Sequence, residues 1–373
     1  MILFFVPSLQ SGGTESVVFR YSQQLVPFHA VRVFSIVKNN LFQSYGSTYA
    51  FHSTDSLPYR ILSFPLLRPL FYIYIFCAFA VNLYPLPSSV FCFGELPILI
   101  SAPFALFSRC VSCFYPSTRF ISSFRNDPST LRFFKKYVLG LLLSCYHLST
   151  TNSFQAVRSF ASLPFCLSPV IPLLNPLPQR FIPRCRPRDP SKIKCIELLS
   201  ISRLEPQKNV SALLEFFRHL NSGHSLAFRL TIVGEGSELE ALKDLSEKYG
   251  LQDNVAFMGS LSSDEVSLLM TRSDAFLHFS LWDGIPNTVL EALSHSLPVF
   301  AFDSPNSSLS DLLVDFSAPI FLFKSFSPSA LVSAFGLFMD ECIFSAQHQK
   351  DCHDFFVNYS KVSMLEHAVL RRL

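Results

Sequence analysis

Residues 228–242 read FRLTIVGEGSELEAL. The stretch from Phe228 to Val233 has the branched and aromatic character of a strand, Gly234 and Gly236 turn the chain, and a helix-compatible segment over 238–249 follows at once. Strand, glycine turn and helix in that order form the repeating unit of a parallel α/β sheet. The unit recurs on either side. Upstream lie the strand KCIELLSIS at 194–202 and a helix over 210–220. Downstream come the strand NVAFMG at 254–259, a helix over 264–271, the strand AFLHFS at 275–280, a helix over 288–296, and the strands PVFAFD at 298–303 and PIFLF at 319–323.

The first half repeats the pattern. Residues 2–6 (ILFFV) form an apolar run that breaks at Pro7, reaches Gly12 and Gly13, and leads into a helix-compatible segment over 14–25. Further strands are expected at 31–37, 88–94 and 119–124, with helical or apolar stretches between them. Such alternation implies a mainly parallel sheet covered on both faces. At 373 residues the chain exceeds what one core usually serves. Prolines crowd over 168–190 and mark a linker. The expected division is a first domain over 1–175, a linker over 176–190 and a second domain over 191–356, with a C-terminal helix over 357–373 packing back on the first. Two similar halves imply a cleft, with ligands beyond the carboxyl ends of the strands.

Composition narrows the class. Hydrophobic residues make up 49% and charged residues 15%, which excludes a disordered chain or a coiled coil. The net charge of +3 conceals a split: residues 1–188 hold 16 Lys plus Arg against 4 Asp plus Glu, giving +12, whereas residues 189–373 hold 14 against 23, giving −9. A basic, aromatic-rich half without a clustered Lys/Arg tract suits an anionic lipid surface better than nucleic acid, and scattered solvated arginines remain the alternative. The 10 cysteines lack regular spacing and sit mostly in apolar runs, as reduced thiols in a cytosol do. Cys110 and Cys113 form one CxxC without a second pair or a nearby His to complete a zinc site. No secretory leader is read at Met1. Residues 69–94 carry no charge, but their continuous apolar part, 70–81, falls short of the ~20 residues that cross a bilayer. That stretch reads as a buried core helix, an interfacial helix or a span.

Three signals carry chemistry. In SRLEPQKN (202–209), Arg203 and Lys208 follow directly on a strand and suit a diphosphate, each charge pair being worth about 4 kcal/mol at ~4 Å in a medium of effective dielectric near 20. A solvated loop would look the same. The glycine turn at Gly234 lets a nucleotide approach the backbone, and it is equally a tight corner with no ligand. The most specific signal is SLWDGIPNTVLEAL (280–293), where Asp283 and Glu291 flank Gly284, Ile285, Pro286 and Asn287. Pro286 near a helix start leaves backbone N–H groups for anionic oxygens, Asp283 in the turn addresses sugar hydroxyls, and Glu291 one turn on suits a ribose diol.

In order, SGGTE (11–15), FRNDP (124–128), LLNPL (173–177), SRLEPQKN, IVGEGSELEAL (232–242) and DGIPNTVLEALSHSLPV (283–299) resemble the retaining GT-B glycosyltransferases of the large group 1 family, which includes bacterial lipopolysaccharide and capsule sugar transferases. The likeness is strong over 198–300 and thin before 110. It implies two Rossmann-like α/β domains facing each other across a cleft. By similarity Gly13 lies beneath the donor phosphates, Arg203 and Lys208 grip the diphosphate, and Glu291 holds the ribose. Asp283 takes the first acidic position of the family's E-x7-E pattern, near the transferred sugar, and Arg125, Asn126 and Asp127 fall on the acceptor side. Asp283 stands where Glu is more frequent, Ser296 where a Gly is usual, and Asp311 where another Glu is common. SPNSSLSDLL (304–313) lacks the paired glycines often found there, and Phe124 replaces a frequent polar residue.

The expected activity is transfer of a hexose or N-acetylhexosamine from a nucleoside diphosphate sugar, UDP-linked, to a lipid-linked or oligosaccharide acceptor in cell-surface polysaccharide synthesis. Retention is implied by the resemblance alone. No cofactor and no metal are expected, because there is no DxD-like carboxylate pair, and Arg203, Lys208 and a helix N-terminus would stabilise the departing diphosphate. The expected setting is the cytoplasmic face of the cell membrane, in peripheral contact with anionic lipid and without nucleic acid. Two alternatives stand beside this reading. A sugar-nucleotide epimerase or hydrolase of the same fold needs a water-activating group in the first half, where Asp127 is the sole carboxylate between Glu95 and Asp189. A non-catalytic sugar-nucleotide-binding homologue is suggested by Asp283 and the altered glycines.

Overall fold

The computed structural model describes residues 1–7, 13–35, 50–53, 68–84, 86–111, 118–124, 133–161, 163–178, 180–183, 193–223, 226–304, 306–345 and 347–363. The chain divides into two compact units, Met1–Pro176 with Val362–Leu373, and Leu177–Lys361. Both are α/β with a parallel sheet.

In the first unit, β1 (Ile2–Val6), β2 (Val31–Ser35), β3 (Ala50–Ser53), β4 (Ser89–Phe93), β5 (Arg119–Ser123), β6 (Leu148–Thr151) and β7 (Val170–Pro172) pair in parallel in the order β3-β2-β1-β4-β5-β6-β7. All of β1 is buried, which is why ILFFV reads as a continuous apolar run rather than an alternation. Its alternate residues serve different cores. Ile2, Phe4 and Val6 pack with Val17, Val18, Tyr21 and Leu25 of α1 (Gly13–Leu25). Leu3 and Phe5 join the core on the other face, filled from α2 (Arg68–Asn82), α3 (Glu95–Val111), α4 (Phe133–Ser144) and α5 (Phe154–Ala161).

Strand β7 lies inside the stretch that the prolines marked as linker. It is the last described strand in its sheet, where Pro172 costs no ladder bond. Leu173, Leu174, Asn175 and Leu177 beyond it are buried, and Tyr21 donates its hydroxyl to the Leu174 carbonyl.

The second unit contains β8 (Cys195–Ile201), β9 (Ala227–Val233), β10 (Val255–Phe257), β11 (Ala275–His278), β13 (Val299–Phe302) and β15 (Ile320–Phe323) in the order β10-β9-β8-β11-β13-β15. The short strands β12 (Trp282–Asp283) and β14 (Asn306–Ser307) pair separately in parallel. The crossovers are α6 (Val210–Gly223), α7 (Leu239–Lys248), α8 (Ser263–Arg272), α9 (Asn287–Ser294), α10 (Leu309–Phe316) and α11 (Pro328–Phe338). Abundant phenylalanine fills this core: Phe300 sits 4.7–6.0 Å, ring to ring, from Phe216, Phe323, Phe335 and Phe338. The last helix, α12 (Gln347–Ser363), starts earlier than the expected 357. It packs through Tyr359 on Phe316, 4.9 Å between rings, and against Phe181 through His353 and Phe356; residues 364–373 lie outside those described.

Candidate active site

Counted by appearance, strands one and four are neighbours in each sheet, β1 with β4 and β8 with β11, so the crossovers leave in opposite directions there and open a crevice beyond the carboxyl ends. Two loops of the second unit rise at that point. One follows β8 and ends in a 3-10 turn, Pro206–Lys208, closed by Asn209 in the left-handed conformation at φ 52°. The other follows β11 and carries β12 before α9.

These loops meet in an ion pair. Lys208 Nζ donates to both Asp283 oxygens, at 2.7 Å to Oδ1 and 2.6 Å to Oδ2, with only 13% and 15% of the two side chains exposed. Backbone contacts fix the approach. Leu281 N–H donates to the Gln207 carbonyl at 2.9 Å, and Gln207 Nε2 donates to the Trp282 carbonyl at 2.6 Å. Beneath them, buried His278 at the end of β11 places Nε2 3.2 Å from Asp283 Oδ2. That is ion-pair distance without the alignment of a hydrogen bond, and Nε2 has no hydrogen-bond partner. Burial by itself would push the Asp283 carboxyl up; His278 and Lys208 outweigh it and hold the group well below the usual carboxylate range.

The β8 loop also rests on the glycine turn. Leu204 N–H donates to the Glu235 carbonyl at 2.8 Å, and its own carbonyl accepts from Glu238 N–H at 3.0 Å. Glu205 accepts from the Ser237 hydroxyl at 2.8 Å and its N–H at 3.2 Å, bonds that hold its carboxyl below the ordinary value, with Arg203 adding to the effect. A Cβ on Gly234, whose φ is +136°, would fall 1.8 Å from the Ser202 carbonyl oxygen, and one on Gly236 would fall 2.3 Å from that of Leu204. Both glycines are therefore explained by loop-to-loop packing before any ligand is considered. Gly234 N–H is already given to the Gly259 carbonyl at 2.8 Å.

Pro286, with φ −73° and ψ 128°, precedes α9 and offers no side-chain cap. First-turn N–H groups of a helix have no intrahelical acceptor, and the dipole there favours an anion. Ile285 is buried, Gly284 and Asn287 are half-buried, and Glu291 is half-buried between the buried pairs Val289, Leu290 and Ala292, Leu293. Ser296 adopts φ 53° in the turn after α9, the left-handed geometry that suits glycine.

The structure thus brings Lys208 and Asp283 together, with Gly284, Ile285, Pro286 and Asn287 following directly. Arg203 is exposed on the β8 loop, and Glu291 stands one turn into α9. Gly13 opens α1 in the other unit, and Arg125, Asn126 and Asp127 lie outside the described residues. Sequence reading passed over His278, Gln207 and Ser280, whose hydroxyl lies 3.2 Å from the Trp282 carbonyl and 3.3 Å from that of Gln207. The signal for His278 was its place as the one titratable residue in AFLHFS. Among the described residues no group of three His, Cys, Asp or Glu could hold a metal ion.

Residues 186–350 match the family model "Glycosyl transferases group 1". This segment is similar to the group 1 glycosyltransferases. The chain is 32% identical over 116 residues to the alpha-monoglucosyldiacylglycerol synthase of Streptococcus pneumoniae, covering 31% of this chain and 26% of the synthase. It is 26% identical over 246 residues to the amylovoran biosynthesis glycosyltransferase AmsD of Erwinia amylovora, covering 63% of each. The chain therefore spans about a quarter of the first relative's length and under two thirds of the second's. The structure of Anabaena HepE in complex with UDP-glucose superposes over 100% of both chains with a TM-score of 0.73 at 16% identity, a likeness of GT-B fold.

Proposed function

We propose that this protein is a glycosyltransferase that moves a hexose or N-acetylhexosamine from a UDP-linked donor to a lipid-linked glycan, with retention and without a metal ion, in the synthesis of a surface polysaccharide or glycolipid. The observation that carries this reading is Lys208 poised on Asp283 at the switch point of the second sheet, one turn from the N-terminus of α9. Lys208, Arg203 and the first-turn N–H groups of α9 supply positive charge where a diphosphate leaves, so its developing charge is neutralised by the protein itself. Asp283, kept ionised by its neighbours, accepts hydrogen bonds from hydroxyls of the transferred sugar, and Glu291 accepts from the ribose. By the family resemblance Gly13 is assigned to the donor phosphates and Arg125, Asn126 and Asp127 to the acceptor. The relatives support the class: one is named a glucosyldiacylglycerol synthase and another an amylovoran transferase. A lipid-linked acceptor sets the enzyme at the cytoplasmic face of the membrane.

The test is a thermal-shift panel of UDP-, GDP- and ADP-sugars followed by turnover of radiolabelled donor. A UDP-sugar is expected to raise the melting temperature. Full-rate transfer by the Arg203→Ala, Lys208→Ala double variant would remove this site from the reaction.

A further inference from the structure

A surface helix ordinarily turns its apolar stripe inward and its polar stripe to water. Three helices of the first unit turn apolar stripes both ways. On α2, Ile75 and Phe79 are buried in the core while Ile73, Phe76, Cys77 and Tyr84 just beyond its end are exposed. On α3, Ile98 and Ala105 face the core while Leu99, Leu106, Phe107 and Cys110 are exposed, Phe107 by 70%. On α4, Leu139 and Leu143 face inward while Phe134, Val138 and Leu141 face out, Phe134 by 77%. The outward positions recur at helical spacing, so each forms a continuous stripe. All three helices cover the same face of the sheet and pack side by side, α2 on α3 and α3 on α4, with the Phe76 and Phe104 rings 4.7 Å apart. The three stripes therefore merge into one apolar surface.

The loop after α5 extends it. Phe165 is held at φ 60°, a conformation costly for a bulky L-residue, with its ring 59% exposed. The Ser144 hydroxyl at the end of α4 donates to the Phe165 carbonyl and accepts from Leu167 N–H at 2.8 Å, and Gly140 lets the Pro164 carbonyl come so close that a Cβ would fall 1.9 Å from it. The chain is pinned in a strained turn that presents Phe165 and Leu167 to the outside.

Among the described residues of these helices and their edges cations outnumber carboxylates, with Glu95 exposed at the start of α3. Arg32 donates to the Tyr84 carbonyl at 3.0 Å, Arg109 bonds the Tyr146 carbonyl at 3.2 Å, and Lys135 and Arg158 are exposed on α4 and α5. From residue 96 to 176 the described residues include no Asp or Glu.

We propose that the outward face of α2, α3 and α4, with the 163–167 loop, docks on an anionic lipid bilayer. Apolar side chains enter the acyl boundary while the rim cations meet lipid phosphates. Charge complementarity favours this occupant over a second copy of the chain, because residues 1–188 hold 16 Lys plus Arg against 4 Asp plus Glu, and a two-fold contact through this face would set the same cationic excess against itself. Among the described residues no single helix is long and apolar enough to cross a membrane, so the helices lie along the surface. The assignment deepens the lipid-linked acceptor reading, and donor binding in the other unit tests that reading separately.

Cys77 and Cys110 are exposed on the proposed face, and half-buried Cys195 and Cys342 in the second unit serve as internal references. The full chain is alkylated with and without vesicles of phosphatidylglycerol and phosphatidylcholine, and the modified peptides are quantified by mass spectrometry. Vesicles are expected to slow modification of Cys77 and Cys110 by about tenfold or more, with Cys195 and Cys342 unchanged, and Leu106→Glu with Phe107→Glu is expected to weaken vesicle binding by a similar factor. Both substituted positions are exposed, so folding is spared, and a retained UDP-dependent thermal shift in the same variant reports that. Equal alkylation with and without vesicles overturns the proposal. So does protection that grows with protein concentration in the absence of lipid, which would mark a self-association surface. Either result leaves the donor-site reading standing if UDP still raises the melting temperature.

Discussion

Substituting Gly236 by Ala tests whether the glycine turn sets the position of the β8 loop. The backbone at Gly236 does not require positive φ, so the cost is steric: its Cβ would meet the Leu204 oxygen at 2.3 Å, where ordinary contact begins at 3.4 Å. The two segments must part by about 1.1 Å, the difference between those distances. Leu204 is fully buried and tied through both its N–H and its carbonyl, so the shift breaks or stretches two hydrogen bonds worth ~0.5–1.5 kcal/mol each and loosens a core leucine. A loss of about 2–4 kcal/mol follows, or roughly 4–16 °C in melting temperature for a unit of this size. The control is Gly250→Ala, which carries a conformational penalty and no steric one: φ is +68° with nothing within 4 Å, and the expected cost is ~1 kcal/mol. Gly336→Ala, inside α11 with open space around it, is expected to stabilise by ~1 kcal/mol. Calorimetric unfolding ranks the three, and titration with UDP reads the site, because Lys208 rides on the displaced loop. If Gly236→Ala loses no more than Gly250→Ala and keeps wild-type affinity for UDP, loop packing does not position the cation and the reasoning fails.

Lys208→Ala leaves the Asp283 carboxylate buried beside His278 alone and should cost about 3 kcal/mol, the lower end for breaking a buried pair; an unchanged melting temperature would contradict the geometry. The depressed Asp283 pKa means that its ionised form stabilises the fold at pH values above the unfolded carboxylate value of about 3.9, and that this stability is lost as pH falls toward the folded value. Asp283→Asn should accordingly lose stability at neutral pH and converge with wild type in acid, which pH-dependent denaturation will show. Ser296→Gly relieves a left-handed serine at φ 53° for the loss of a long 3.4 Å bond to the Ile182 carbonyl, and a gain of up to ~1 kcal/mol in urea unfolding is expected.

The second sheet was legible because glycine marks the turn after β9 and because its strands are rich in branched and aromatic residues, with β9 alternating between buried and exposed positions. In the first unit, β6 is LSTT and β7 is VIP, sequences whose hydroxyls and proline hide strands that neighbouring segments complete. Strand context overrides propensity there. Among the site residues, Lys208 and Asp283 were found from the loops that carry them, whereas His278 was not. A histidine in a buried strand looks like core until tertiary structure shows the carboxylate above it. Of the outward stripes of α2, α3 and α4, that of α2 alone lay in the uncharged stretch over 69–94, and those of α3 and α4 carried no such mark. Which residues face out depends on where the sheet lies, and periodicity cannot tell two apolar faces from one core.

Lys208 does not wait for its ligand as a bare charge. It already has a counter-ion in Asp283, so under the proposed function an arriving diphosphate would replace one anion by another instead of neutralising a solvated cation. Binding there would be an exchange, and the carboxylate set free would become available to the sugar that arrives attached to the same phosphates. Donor affinity should accordingly depend less on salt than the two cations suggest, and a nucleotide without a sugar should release Asp283 with nothing to hold.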